Sequence, residues 1–305
     1  HFLQDGIVVG SGLDRTSARL NLTVDPVDWA QFGINSTGSI ANVDRVSGAG
    51  FYADPVTSAY FMRPWEPVYN EDGTYNQNIP YNLDYIPVAV TDLDDRTNVQ
   101  KRLLASGFAL VRPINEEDNT LTIKSNFGVD YYDLEENTFW NPNGPSGEAY
   151  NGYSELATTN RSIYTITNTI QWVRTLNDAH NIDLLVGQEA QESNTLWMLT
   201  ANSQFPSDQV TTLSNGAEPL SASTTKTGWQ LASYFGRVNY DFQGRYYLSA
   251  SYRRDGSSKF GADYRWANFY SIGGSWRISE ESFFQGVSLV DNLRLRSSYG
   301  TSGNS

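Results

Sequence analysis

Apolar and polar residues alternate along most of this chain, and helical spacing is scarce. Between Tyr246 and Tyr252, for example, Leu248 and Ala250 fall on one face, and the intervening residues are mostly serine. The same period of two recurs in the segments 18–24, 121–132, 164–172, 182–189 and 293–299. This period is typical of β-strands, whose successive side chains point to opposite faces of a sheet. The pattern therefore predicts an all-β protein.

The polar face of these strands carries mainly Ser, Thr, Asn, Gln, Gly, Asp and Arg, which suits a hydrated lumen as well as an ordinary solvent-facing surface. The apolar face ends repeatedly in aromatic residues, namely Trp172, Tyr240, Phe242, Tyr246 and Tyr252. Rings at strand ends are typical of the aromatic girdles of membrane barrels. Cross-strand packing in an ordinary sheet would give the same pattern.

Short and long connections alternate between the predicted strands. Tight turns are predicted at 25–28, 115–118, 177–179 and 243–244, and long connections at about 40–95, 135–160, 193–227 and 255–267. Loops of this length are unusual in compact soluble domains. Their alternation with tight turns is typical of outer-membrane barrels, with long loops on the extracellular side and short turns on the periplasmic side. We therefore predict an antiparallel transmembrane β-barrel, with about ten to eleven strands in this chain.

The long loops contain the candidate binding residues. Residues 54–95 hold eight acidic residues, one basic residue and seven aromatic residues, and flat rings beside carboxylates suit contact with carbohydrate. The alternative is that this loop packs on its neighbours. Bulky aromatic residues recur in three of the predicted loops, and a patch of them would mark a binding surface for cargo or for a partner. The candidates are Trp65, Tyr69, Trp140 and Trp197, and the acids near them are Glu66, Asp72, Glu135 and Glu136.

Composition excludes several other functions. The net charge is -13, which argues against a nucleic-acid partner. There is no cysteine, and the only histidines are His1 and His180, so thiolate catalysis and multi-histidine metal sites are excluded. No catalytic or nucleotide-binding motif occurs, and no pair of carboxylates stands out. We therefore expect no catalytic residues, no cofactor and no metal site.

Residues 228–304 carry the most specific signal. They contain FGRVNY (235–240), RRDGSS (253–258), GSWRISEE (274–281) and LRLRSSYGTSGN (293–304). These segments, in this order and spacing, closely resemble the signature region of SusC/RagA-type TonB-linked outer-membrane transporters. The departures from the family pattern are small, at Lys259, Tyr270 and Ser302. Looser matches extend the resemblance over essentially the whole chain.

The resemblance implies a barrel of about 22 strands. Residues 1–305 would then be part of the barrel domain, roughly half of it, with the plug, the TonB box and the closing strands absent from this chain. It implies energised import of an oligosaccharide or peptide across the outer membrane of a Gram-negative bacterium of the Bacteroidetes type. The implied partners are a SusD-like surface lipoprotein, outer-membrane lipid, and TonB–ExbB–ExbD acting through the TonB box. The signature residues Arg237, Arg253, Arg254, Asp255 and Trp276 are expected in the barrel wall and rim.

Two other functions stay open at this point. One is a soluble, surface-exposed β-rich glycan-binding protein or glycoside hydrolase, and the other is a structural or adhesin-like barrel. The apolar residues between Tyr246 and Tyr252 distinguish the barrel from the soluble protein, because a soluble protein needs a second sheet to cover them. In the barrel, the sheet would not close within these residues, Leu248 would face lipid and Ser249 would face the lumen.

Overall fold

The computed structural model describes residues 1–46, 54–76, 79, 86–284, 286 and 290–303. These residues form one 11-stranded antiparallel sheet in which every strand pairs with its neighbours along the chain. The strands are β1 (Phe2–Asp5), β2 (Gly12–Val27), β3 (Ala30–Asp44), β4 (Asp95–Asn115), β5 (Asn119–Trp140), β6 (Tyr153–Leu176), β7 (His180–Ser203), β8 (Glu218–Phe242), β9 (Tyr246–Ser257), β10 (Trp266–Arg277) and β11 (Arg294–Gly300). The predicted fold class is confirmed.

Helical structure is confined to the connections. The helices α1 (Pro55–Phe61) and α2 (Pro87–Leu93) lie between β3 and β4. Short 3-10 turns occupy Glu148–Tyr150, Leu213–Asn215, Ala262–Tyr264, Ile278–Glu280 and Ser282–Phe284. No helix in the described part of the chain is long and apolar enough to cross a membrane.

The register places Leu248 and Ser249 on opposite faces of the sheet, as the alternation predicts. Leu248 pairs with Tyr240 on the apolar face, and Ser249 pairs with Asn239 on the polar face. Nothing among the described residues covers the apolar face with a second sheet, and no pairing joins β1 to β11. The large apolar side chains exposed on it include Leu20, Leu22, Ile34, Ile170, Val186, Leu248, Ile272 and Leu295. The prediction of a sheet that does not close within this chain is confirmed.

The strands are longer than the sequence pattern indicated. β4 to β8 contain 21 to 25 residues each, whereas about 9–11 residues are enough for a transmembrane strand. The predicted loops are therefore too long, and the observed connections are 141–152, 204–217 and 258–265. The distal strand segments lack a regular alternation of polar and apolar residues, because some are almost entirely polar, such as 221–227, and one contains the continuous apolar run 196–199. Their backbone ladders nevertheless continue without interruption through most of this region.

The connections separate into two rims of the sheet. One rim carries the tight turns at 28–29, 116–118, 177–179 and 243–245. Left-handed backbone at Asn177, Asp178, Gln243 and Gly244 closes two of them. The opposite rim carries the long connections, as predicted. The connection 278–293 is an exception that the sequence did not indicate, because it is long and lies on the tight-turn rim.

Each of the three register shifts in the sheet lies at a proline. The shifts fall between Val24 and Val27, between Val111 and Ile114, and opposite Pro219. Pro26 and Pro113 occupy the first two. Proline has no backbone N–H to donate to the ladder, so the pairing resumes one residue later on the other side of a bulge.

The connection between β3 and β4 has a small core of its own. Ile79, Ile86 and Ala89 are buried together, and Met62, Val68, Tyr75 and Leu93 pack against them. Asp54 caps α1 by accepting a hydrogen bond from the backbone N–H of Val56 at 2.8 Å. The hydroxyl of Tyr75 donates to Asp92 at 2.6 Å, which joins the preceding turn to α2. The inner residues of this loop therefore pack on one another.

Candidate functional site

Trp65 and Tyr69 lie in the insertion between β3 and β4, as predicted. Their exposed fractions are 73% and 51%. The ring of Tyr69 packs on that of Tyr75 with centroids 5.1 Å apart, and the two residues form an isolated β-bridge. Tyr81, Asp84 and Tyr85 of the same predicted loop lie outside the described residues.

Trp140 belongs to an aromatic cluster at the long-loop rim. Its ring centroid lies 4.5 Å from that of Tyr153 and 6.0 Å from that of Tyr150. Trp140 is the last residue of β5 and pairs directly with Tyr153, the first residue of β6. Burial, together with donation of its hydroxyl proton to Glu155 at 2.6 Å, raises the pKa of Tyr153 well above its ordinary value. The hydroxyl of Tyr153 therefore keeps its proton and remains a hydrogen-bond donor to Glu155.

The placement of Trp197 in a loop is wrong. Trp197 lies within β7, where it pairs with Thr159 of β6 and Thr225 of β8. Its position in the register puts it on the same face as Asp183, which is the polar face. In the chain it stands in the apolar run Leu196–Leu199, which hides the alternation of polar and apolar residues that marks a strand. Trp197 is thus attached to the wall and is held more rigidly than a loop residue.

The polar face near Trp197 carries two cation–π pairs that sequence reasoning missed. The guanidinium of Arg161 lies 5.5 Å from the ring centroid of Tyr132, its direct cross-strand partner. The ammonium of Lys259 lies 5.3 Å from the ring centroid of Trp229. We call the polar face around Tyr132, Arg161, Trp197 and Trp229 the upper polar face. In the sequence, the one indication was that each of these residues lies an even number of positions from the polar residues of its own strand, which places it on the same face.

The four predicted aromatic residues do not form one site. Trp197 lies level with Leu134 of β5, because both pair with Thr159 of β6. Trp140 is six residues further along β5, so the two tryptophans are roughly 20 Å apart along the strands. Trp65 and Tyr69 belong to the separate insertion. The structure therefore offers three aromatic surfaces on the long-loop side.

The acids predicted to accompany these rings are mostly engaged with protein groups. Asp72 accepts hydrogen bonds from both the hydroxyl and the backbone N–H of Thr74, which lower the pKa of its carboxyl group. Glu136 accepts from Asn98, and Glu135 accepts from Asn137. The carboxylate of Glu66 lies 3.8 Å from Arg63. Glu135 and Glu136 are strand residues, which corrects their placement in a loop.

The signature residues lie in the sheet wall and at its rim. Arg237 pairs with Asp183 at 3.2 Å, and Arg253 contacts Asp255 at 2.6 Å and Glu189 at 3.5 Å. At the tight-turn rim, the indole N–H of Trp276 donates to Glu281 at 3.0 Å. The Arg237–Asp183 pair links β8 to β7, and the Arg253–Glu189 pair links β9 to β7. In the described ranges, no group of three or more His, Asp or Glu side chains is arranged to hold a metal ion.

Comparison with known proteins identifies the family, although no family model matches the chain. The chain is 30% identical to TonB-dependent receptor P26 of Formosa agariphila over 313 residues, which covers 100% of this chain and 30% of that protein. It is 27% identical to TonB-dependent receptor SusC of Bacteroides thetaiotaomicron, over 98% of this chain and 31% of SusC. The RagAB peptide importer in its closed-closed state superposes with a TM-score of 0.83 at 26% identity, over 99% of this chain and 34% of that chain. Over essentially its whole length, this chain matches part of the SusC/RagA-type TonB-dependent receptors.

The family predicted from residues 228–304 is confirmed. The chain spans about a third of the length of the relatives it matches. These relatives are named as receptors and transporters and not as enzymes. The superposition shows that the 11-stranded sheet corresponds to part of the RagA barrel.

Proposed function

We propose that this chain forms about half of the barrel wall of a SusC-like importer, which takes up an oligosaccharide or a peptide through the outer membrane with energy from TonB. The uncovered apolar face of the sheet carries this proposal. In water, a surface of exposed Leu, Ile and Val residues on this scale would be strongly unfavourable. In a bilayer it needs no cover, because the backbone polar groups are satisfied by the ladder and the side chains meet lipid.

The polar face supports the role of a hydrated passage. It carries ion pairs such as Arg237–Asp183 and Arg102–Asp130, the second with an N–O distance of 2.9 Å. Paired charges of this kind suit a water-filled lumen and would be costly against lipid. A soluble glycan-binding protein or glycoside hydrolase is not favoured, because it would need a second sheet over the apolar face.

The strand segments beyond the apolar band support a role in cargo capture. β4 to β8 continue well past the length that a membrane requires, and their polar face carries Trp197 and the Arg161–Tyr132 pair. We propose that this upper polar face contacts cargo in the extracellular vestibule. The insertion with Trp65 and Tyr69 would contact either cargo or a SusD-like lipoprotein. TonB–ExbB–ExbD would act on parts of the protein outside this chain.

Uptake and fractionation together test this function. The full-length protein containing this chain should fractionate with outer membranes, and deletion of its gene should abolish growth on one peptide or glycan source. Complementation should restore growth, and a protonophore should block uptake. Recovery of the intact protein from the soluble fraction would refute the proposal. Uptake that persists without the proton-motive force would refute its TonB-dependent part.

A further inference from the structure

Arg161 stands on the polar face of β6 without a carboxylate of its own. Its guanidinium stacks on the ring of Tyr132, its direct partner on β5. No ion pair joins it to an acid in the described ranges. Its Nε atom is buried and has no hydrogen-bond partner among the described residues. The charge of Arg161 is therefore not balanced by a direct protein contact.

The acid beside Arg161 is engaged by a different arginine. Asp130 of β5 lies diagonally across from Arg161 on one side and from Arg102 of β4 on the other. Both of its carboxylate oxygens accept hydrogen bonds from Arg102, Oδ1 from Nε at 3.1 Å and Oδ2 from Nη2 at 2.9 Å. One acid thus stands between two arginines and is held by Arg102.

The other positions around Arg161 on the polar face carry no acid. They are Leu134 on β5, Thr159 and Ile163 on β6, and Ser193, Thr195 and Trp197 on β7. The next acids on this face of the three strands have partners elsewhere, namely Glu136 with Arg45, Glu155 with Tyr153 and Glu189 with Arg253. Arg161 therefore stands in a locally cationic region of a chain whose net charge is -13.

Two aromatic rings flank this guanidinium. Tyr132 lies directly across from Arg161 on β5, and Trp197 lies diagonally across from it on β7. Diagonal neighbours on one face are about 7–8 Å apart, which is within the reach of a large ring. All three side chains are half-buried, so each remains partly open to the lumen. A cation between two rings suits an anionic group attached to an apolar or flat body.

We propose that the upper polar face selects cargo that carries a carboxylate, which Arg161 binds while Trp197 packs on the adjoining part of the cargo. The inference rests on the proposed function and narrows its cargo to acidic oligosaccharides or acidic peptides, which share this group. A guanidinium matches the geometry of a carboxylate through paired hydrogen bonds. Lys259, whose ammonium lies 5.3 Å from the ring centroid of Trp229, adds a second cation to the same face.

Native mass spectrometry of the full-length transporter in detergent, without its lipoprotein, tests the site with two acidic probes. One is a mixture of oligogalacturonates and oligoalginates, and the other is a tryptic digest of casein. Each is compared with the same material after methyl esterification of its carboxylates. The wild-type protein should bind the acidic form of one probe about tenfold more tightly than its ester, because a charge-assisted contact is gained. The probe that shows this preference identifies the source of the carboxylate.

Variants of Arg161 locate the contact. Arg161→Gln should weaken binding of the acidic ligand by about tenfold and remove the preference over the ester. Arg161→Lys should keep part of the preference, because the charge remains while the paired hydrogen bonds are lost. Lys226→Gln is the matched control, because Lys226 pairs with Leu196, the neighbour of Trp197 on β7, and lies on the opposite face. Heat-modified mobility on gels confirms that each variant is folded.

Three outcomes would overturn the proposal. Binding of neither acidic probe, or equal binding of the acidic and esterified forms, would show that the transporter does not select a carboxylate. A preference that survives Arg161→Gln would place the carboxylate contact elsewhere. Equal losses in Arg161→Gln and Lys226→Gln would reflect overall charge and not a site. Energy-dependent uptake of a neutral cargo would refute this inference and leave the proposed function intact, whereas absence of any uptake would refute the proposed function itself.

Discussion

The ring of Phe235 lies across Gly187, its direct cross-strand partner on the polar face. A Cβ atom at Gly187 would come within 2.5 Å of the ring, so only glycine permits this packing. The guanidinium of Arg253 lies 5.5 Å from the centroid of the same ring and also contacts Glu189. Gly187 therefore supports a ring, a cation and an ion pair that together join three strands.

Gly187→Ala should destabilise the barrel by about 1–3 kcal/mol, the range typical of overpacking in a well-packed site. The measurement is urea unfolding of the full-length protein in detergent. Gly128→Ala is the control, because Gly128 is also on the polar face and its added Cβ would meet its nearest neighbour at an ordinary 3.9 Å. Equal effects of the two substitutions would contradict the packing argument.

Leu248→Arg and Ser249→Arg should differ sharply. Arginine on the lipid-facing side near the bilayer midplane costs about 2–4 kcal/mol, whereas lumenal positions tolerate it. Leu248→Arg should therefore lower the amount of folded barrel in outer membranes, and Ser249→Arg should leave it near the wild-type level. Heat-modified mobility on gels measures the folded fraction. If both variants fold equally well, the assignment of the two faces is wrong.

The two rims should lie on opposite sides of the membrane. Glu71, in the insertion between β3 and β4, should be extracellular, and Glu117, in the turn between β4 and β5, should be periplasmic. Single cysteine substitutions at these exposed positions should react differently with an impermeant maleimide on intact cells. Labelling is compared with the unsubstituted protein and with lysed cells, where both sites should react. Labelling of Glu117→Cys alone on intact cells would show that the two rims are assigned to the wrong sides of the membrane.

Asp94 should make the stability of the insertion dependent on pH. It follows α2 and accepts a hydrogen bond from the backbone N–H of Asn141 at 3.2 Å. Burial raises the pKa of its carboxyl group to about 6, from an ordinary value of 3.8. The folded insertion therefore binds this proton more tightly than the unfolded chain does. The resulting stabilisation is complete below the unfolded pKa and is lost as the pH rises through about 6.

Asp94→Asn should therefore stabilise the insertion at about pH 7.5, by up to about 3 kcal/mol, and have little effect at about pH 4. Asparagine keeps the oxygen that accepts from Asn141 and removes the cost of a buried charge. Hydrogen exchange of the α2 amides in the full-length protein measures the effect. Glu71→Gln, which changes an exposed acid of the same insertion, should show no such pH dependence. A stabilisation by Asp94→Asn that is the same at both pH values would refute the explanation.

Trp197→Ala should weaken cargo binding by about 1–3 kcal/mol, the scale of a lost aromatic contact. The measurement uses the purified full-length transporter without its lipoprotein, and the peptide or glycan that the uptake assay identifies. Met198→Ala is the control, since Met198 is the next residue along β7 and lies on the opposite face. Trp65→Ala and Trp140→Ala, tested in parallel, should separate cargo contact from partner contact. An unchanged affinity together with loss of the lipoprotein complex would assign a residue to the partner interface.

The sequence by itself determined the apolar band and its register. Residues such as Leu248 and Ala250 alternate with serine because one face meets an apolar environment and the other meets water, and that contrast is visible in single residues. The tight turns were predictable for a related reason, because residues such as Asn177 and Gly244 tolerate left-handed backbone. The family followed from the segments between 228 and 304, whose residues must satisfy several local contacts at once.

Only the tertiary structure decided where the strands end and which aromatic residues share a surface. Beyond the apolar band the alternation is lost, in polar runs such as 221–227 and in the apolar run 196–199, while the backbone ladder continues. That is why Trp197 was assigned to a loop although it lies in the wall. The row of small residues Ala190, Ala232 and Gly256 was equally invisible, because they come from three strands and become neighbours only through cross-strand pairing. Alternation records which face a residue occupies, whereas long-range pairing sets which residues stand beside it.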